Sequence, residues 1–171
     1  FSSNISRIKS ILEIAKINEK KVCILGRAIK RSIEAAIDVE LIEKNYTFYG
    51  INEIEKFPKN NLLIICSGSQ GEPNSSLTRI ASGKIEKIKL NDLDSIIFSS
   101  KKIPGNERKI SKVEHMFLEK NVNIFNENND QSIHVSGHPC KDEILDMYTM
   151  LKPKTVIPVH GNFEQLKANA E

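Results

Sequence analysis

The chain has 171 residues, 39% of them hydrophobic and 27% charged, with a formal net charge of +3. That is the length of one ordinary domain and the balance of a soluble globular one, and so small an excess of cations does not by itself make a nucleic-acid binder. The longest apolar runs, LLIIC, SIIF and TVIPV, are far too short to cross a bilayer. Cys23, Cys66 and Cys140 are odd in number and widely spaced, and two of them sit in apolar runs. They argue against a disulfide framework or a zinc knuckle and for reduced thiols in the cytoplasm. The opening FSSNISRI has neither a start methionine nor a basic-then-apolar leader, so the chain is expected to begin inside a longer polypeptide.

Taken in order, Ile5, Ile8, Ile11, Leu12 and Ala15 share one helical face behind Ser3 or Asn4 as N-cap. VCILG (22–26) reads as a buried strand ended by Gly26. AIKRSIEAAIDVELIEK (28–44) reads as a helix with Ile29, Ile33, Ala36 and Ile37 inward. LLIIC (62–66) is the next strand, followed by a short helix around SSLTRIAS (75–82), a strand in SIIFSS (95–100), a helix through ISKVEHMFLEK (110–120) and a strand in VNIF (122–125). Four buried-type strands alternating with helices predict an α/β fold, a parallel sheet covered by helices on both faces. The polar ENNDQ (127–131) marks a boundary.

Beyond it, IHVSG read as a strand turns Ile133 and Val135 toward a core. His134 and Ser136 then share the other face, with His138 following Gly137. KDEILDMYTMLK (141–152) reads as a helix with Ile144, Leu145, Tyr148 and Leu151 on one face. KPKTVIPVHG (152–161) reads as a further strand, kept short or at an edge by Pro158, that ends in His160.

Loops after parallel strands are where α/β sheets bind ligands. CSGSQGEP (66–73) has the form of a phosphate cradle: Gly68 and Gly71 permit close backbone approach, and Ser67 and Ser69 can donate. It lacks the Gly-Lys-Ser/Thr of a Walker loop and the spacing of GxGxxG, and the residues alone leave an ordinary tight turn equally open. In SSKKIPGNERK, Lys101, Lys102, Arg108 and Lys109 surround a Pro-Gly turn from which cations could reach phosphates, or could simply be solvated. Three histidines, His134, His138 and His160, fall at strand ends. His115, mid-helix, reads as a structural histidine.

FSSNISRI, SGSQGEP, IPGNE, HVSGH and PVHG, in that order, resemble ribonuclease J, a metallo-β-lactamase-type nuclease with an inserted β-CASP domain, over nearly the whole chain. The resemblance implies a Rossmann-like β-CASP domain over residues 1–130. It makes 131–171 the stretch that returns to the metallo-β-lactamase domain, most of which lies outside this chain. It implies a zinc-dependent ribonuclease that hydrolyses RNA phosphodiesters, exonucleolytically from the 5′ end, endonucleolytically or both, with two zinc ions. The HxHxDH segment that supplies most of their ligands is absent here, so the isolated chain is expected to be inactive.

Residue by residue, the resemblance makes His160 a zinc ligand and His138 the histidine bordering the scissile phosphate, suited to stabilise charge or protonate the leaving oxygen. His134, Val135, Ser136, Gly137 and His138 become the stretch that binds the substrate nucleotide. Ser67, Gly68, Ser69, Gln70, Gly71, Lys101 and Lys102 would line a single-strand RNA channel. Asn162 stands where the family often has Glu. Replacing Gly71 by a β-branched residue should weaken RNA binding and spare the fold, provided its φ is negative. No membrane partner is expected, and self-association through regions outside this stretch stays open. Two other readings remain: a non-catalytic nucleotide- or phosphate-binding regulatory module, and a pure interaction domain.

Overall fold

The computed structural model describes residues 2–134, 138–159 and 161–170. They divide into two compact units, Phe1–His134 and Val135–Glu171.

In the first unit, β1 (Lys21–Leu25) and β2 (Leu62–Cys66) pair in parallel, with Cys23 opposite Ile64. Residue alternation sends Val22, Ile24, Leu63 and Ile65 to one face of this pair. There they meet Ile8, Leu12 and Ala15 of α1 (Ile5–Ile17) and Ile29, Ile33 and Ala36 of α2 (Arg27–Asp38). Cys23, Leu25, Leu62, Ile64 and Cys66 take the other face. They pack on Leu77, Ile80 and Ala81 of α3 (Ser76–Ala81) and on Ile110, Val113 and Phe117 of α4 (Glu107–Leu118). Helices on both faces explain why these strands read as unbroken apolar runs. The expected α/β class and parallel pairing are what the structure has.

Two details differ from the sequence reading, and one alternative it left open is decided. The four strands form two parallel pairs, β1 with β2 and the three-residue β3 (Ser95–Ile97) with β4 (Asn123–Phe125), rather than one continuous ladder. The pairs are joined through the shared core instead, where Phe98, Ile96, Val122 and Ile124 pack with the residues of β1 and β2. The second helix ends at Asp38, not near Lys44. Glu40 turns left-handed at φ 61°, the Leu41 N–H donates back to the Ala36 carbonyl at 2.8 Å, and the reversal buries Ile42. Asn4 is the N-cap of α1, its Oδ1 accepting the Arg7 N–H at 3.0 Å.

The second unit holds α5 (Lys141–Leu151) and α6 (Phe163–Ala170), linked by the Tyr148 hydroxyl donating to Asn169 Oδ1 at 3.4 Å. Its helices lie where sequence periodicity expects, yet no described residue of this unit is buried. On the expected inward face, Leu145 and Leu151 are exposed, while Ile144 and Tyr148 are half-buried. The strand expected in KPKTVIPVHG is absent among the described residues. Residues 152–159 are irregular, with Ile157 75% and Val159 87% exposed, because no described strand offers the ladder partner that extended backbone requires. The strand expected in IHVSG begins as the 3-10 turn Gln131–Ile133, and His134 follows with extended φ and ψ. Its remainder, Val135, Ser136 and Gly137, lies outside the described residues.

Candidate nucleic-acid surface

The loops leaving β2 and β3 are clipped together by one side chain. Gln70, 8% exposed, donates from Nε2 to the Lys101 carbonyl at 2.9 Å and accepts at Oε1 from the Ile103 N–H at 3.0 Å. Both halves of the amide are thereby satisfied, as a buried amide must be. The Gly71 N–H donates to the Gly68 carbonyl at 3.0 Å, closing a turn, and the Leu77 N–H donates to the Ser67 carbonyl at 3.0 Å. The 67–71 loop is therefore seated on the start of α3 and on the loop after β3.

Gly71 has a left-handed φ of 70°, and a Cβ there would sit 2.5 Å from the Lys109 carbonyl carbon and 2.6 Å from its oxygen. The close backbone approach that the glycine allows is to the first turn of α4. The condition attached to the Gly71 expectation, a negative φ, fails, and so does the idea that substitution would spare the fold.

The two lysines of the expected basic loop separate. Lys101 is exposed. Lys102 donates from Nζ to Glu114 Oε2 at 2.9 Å, with 29% and 15% of the two side chains exposed, and Glu114 Oε1 also accepts from Asn126 Nδ2 at 3.1 Å. Its charge is engaged inside the fold. Arg108 and Lys109 are exposed at the start of α4. There the neighbouring Glu107 carboxyl accepts the Gly105 N–H at 2.9 Å and is held below its usual range by its own and the Gly105 backbone N–H groups.

His134 is half-buried at the same end of the unit. Arg7 Nη2 lies 3.2 Å from its Nδ1, and Arg7 Nη1 donates to the Ser99 carbonyl at 2.6 Å. Burial first, then the Arg7 cation and Lys101, hold this imidazole below the usual histidine value, against an opposing pull from Glu127. Sequence reasoning missed Arg7, Ser99, Glu114 and Glu127. The one signal was that Arg7 lies in FSSNISRI, a motif that carried the resemblance.

His138 is exposed in the second unit. His160 lies outside the described residues. Among the described residues no three His, Cys, Asp or Glu side chains gather as a metal site, so these residues alone do not fit a zinc centre. Asn162 caps α6: its N–H donates to Gln165 Oε1 at 2.8 Å and its Oδ1 accepts the Gln165 N–H at 2.9 Å, a reciprocal cap that gives this side chain a local role. His115 pairs with Glu119 at 3.5 Å on the exposed face of α4 rather than serving the interior. Cys23 and Cys66 are free thiols that burial pushes up to about 11 and about 12, and Cys140 is free and exposed.

A helix-covered parallel α/β domain, with two loops clipped together and cations beside them, defines a class built to present loops at one end of its strands. The family model of the ribonuclease J β-CASP domain matches residues 1–116, and that of a zinc-dependent metallo-hydrolase RNA specificity domain matches residues 129–171. The chain belongs to the ribonuclease J family. Among its relatives are ribonuclease J of Sinorhizobium meliloti, 37% identical over 100% of this chain and 30% of that protein, and ribonuclease J of Mycoplasma genitalium, 35% identical over 98% and 30%. Ribonuclease J2 of Bacillus subtilis is 31% identical over 100% of this chain and 31% of its own length. The chain thus spans about 30% of the length of these curated relatives. No described helix is long and apolar enough to cross a membrane.

Proposed function

We propose that this chain is the RNA-binding side of the active-site cleft of a ribonuclease J-type, zinc-dependent RNA hydrolase in the cytoplasm, with residues 1–130 as the β-CASP domain and 131–171 as the returning metallo-β-lactamase segment. The observation that carries the reading is the pair of family models, matched in order to residues 1–116 and 129–171. Supporting it are the clipped loops at 67–71 and 100–104, with Lys101 exposed beside them and His134 held by Arg7.

In this reading the 67–71 loop and Lys101 track the RNA backbone from a prearranged ledge, and His134 with Val135, Ser136 and Gly137 binds the substrate nucleotide. The ledge needs no reordering to receive a strand, because the buried Gln70 amide already fixes its two loops. Lys102 contributes by holding its loop through Glu114 rather than by meeting phosphate. His138 borders the scissile phosphate, where an imidazole can stabilise developing charge or protonate the leaving oxygen. His160 would contribute one ligand to a two-zinc centre whose other ligands lie elsewhere in the complete polypeptide.

The test uses the complete polypeptide. His160→Ala should lower zinc content together with cleavage, whereas His138→Ala should keep zinc and melting temperature while single-turnover cleavage falls about 100-fold or more. Full cleavage by a folded, zinc-loaded His138→Ala enzyme would remove that role. Tight binding of free nucleotide by the 171-residue chain, with no RNA cleavage by the complete polypeptide, would point instead to a regulatory nucleotide-binding module.

A further inference from the structure

Every nitrogen of a guanidinium is a donor, and arginine accepts no hydrogen bond. With Arg7 Nη2 3.2 Å from His134 Nδ1, that ring nitrogen must present its lone pair, and the ring proton must sit on Nε2. The guanidinium is itself anchored through Nη1 to the Ser99 carbonyl, two residues past the end of β3. Ser99 Oγ in turn donates to the Ile133 carbonyl at 3.3 Å, tying down the residue just before the histidine. At its other end Arg7 belongs to the first turn of α1, where Asn4 caps its N–H. Residues 127 positions apart thus meet in a fixed arrangement.

We propose that Arg7 is a positioning residue that locks His134 as its neutral Nε2–H tautomer, so that His134 offers RNA an uncharged N–H donor rather than a cation or an accepting lone pair at Nε2. The inference rests on the assignment of His134 to the RNA surface made above. Protonation at Nδ1 would set a second cation against Arg7, and burial, Arg7 and Lys101 together outweigh Glu127 in keeping the ring's pKa low. The surface then divides its labour: exposed Lys101 supplies salt-sensitive attraction, and His134 supplies a directional contact that a change in ionic strength leaves alone.

The test reads the tautomer directly. In the 171-residue chain labelled with 15N-histidine and free of RNA, long-range 1H–15N correlation at pH 7.5 should find His134 protonated at Nε2 only. Arg7→Met should give a tautomer mixture and a raised His134 pKa, and Arg7→Lys, which keeps a donor, should restore much of the Nε2–H form. With a single-stranded oligoribonucleotide as probe, Arg7→Met and His134→Ala should each weaken affinity about tenfold, and the double variant should be no worse than either. Protonation of Nδ1 in the unsubstituted chain, or an unchanged tautomer in folded Arg7→Met, overturns the proposal. The expected tautomer combined with wild-type RNA affinity in His134→Ala would instead overturn the placement of His134 against RNA, and with it the donor role. The RNA-free spectra keep those two failures apart.

Discussion

Gly71→Ala is the sharpest test of what the 67–71 loop is for. A left-handed backbone costs a non-glycine residue about 1–2 kcal/mol. The new methyl would also lie 2.5 Å from the Lys109 carbonyl carbon and 2.8 Å from its Cβ, so it is the backbone of α4, not a swinging side-chain tip, that has to move. Overpacking of that kind adds about 1–3 kcal/mol, because α4 cannot shift without disturbing Ile110, Val113 and Phe117 in the core. Together these come to about 2–5 kcal/mol, and at about 4 °C per kcal/mol for a unit of this size the melting temperature should fall by about 8–20 °C. Gly105→Ala isolates the backbone part of the loss: its φ is also positive, at 91°, but nothing lies within 4 Å of its Cβ, so it should melt only about 4–8 °C below wild type. Thermal denaturation followed by circular dichroism compares the two. Equal melting temperatures for the two variants would refute the steric argument and return Gly71 to service as a point of ligand approach.

Lys102→Met should destabilise the chain by about 1–2 kcal/mol in urea denaturation, because it strands the largely buried Glu114 carboxylate, whereas Lys101→Met should leave stability unchanged and weaken RNA binding. Equal stability losses would refute the division between the two lysines. His134 should make stability rise with pH just below the ordinary histidine value: there the unfolded ring, at about 6.5, is protonated while the folded ring, with its lowered pKa, is not, so the unfolded state binds more protons and acid favours it. The slope of unfolding free energy against pH in that window should flatten in His134→Ala, and an unchanged slope would deny the depressed pKa. A thiol reagent at pH 8 should modify Cys140 rapidly and reach Cys23 only on unfolding, as mass spectrometry of the labelled chain would read, since burial keeps the Cys23 thiol protonated and covered.

The parts of this fold that the sequence announces are those decided locally. VCIL and LLIIC are apolar throughout because both of their faces are covered, and the helical faces of Ile8, Leu12 and Ala15 or of Ile29, Ile33 and Ala36 repeat at helix spacing. The early end of α2 was hidden because apolar residues continue at helical spacing past it, while the left-handed turn at Glu40 carries Ile42 into the core by another route. TVIPV has strand composition but no strand to pair with among the described residues, and composition cannot reveal a missing neighbour. Of the candidate site, the positions of Gln70 and His134 could be read from motifs, but not their tasks. The clip from Gln70 to Lys101 and Ile103, and the contact of Arg7 with His134, join segments far apart in the chain. The pairing of Lys102 with Glu114 likewise turns a cation expected to face solvent into part of the structure.

Among its described residues the second unit has helices without an interior, and that determines how it should behave in time. Hydrogen exchange reports the free energy needed to expose each amide, and amides that open with a packed core exchange only at the rate of global unfolding. Helices of 11 and 8 residues with no buried side chain fall below the length that sustains a helix in water on its own. In deuterated buffer the amides of α5 and α6 should therefore be replaced early, and independently of one another. Those of β1 and β2 should persist until the whole first unit opens, so a single exchange experiment would write the boundary at His134 into the chain as a step in protection.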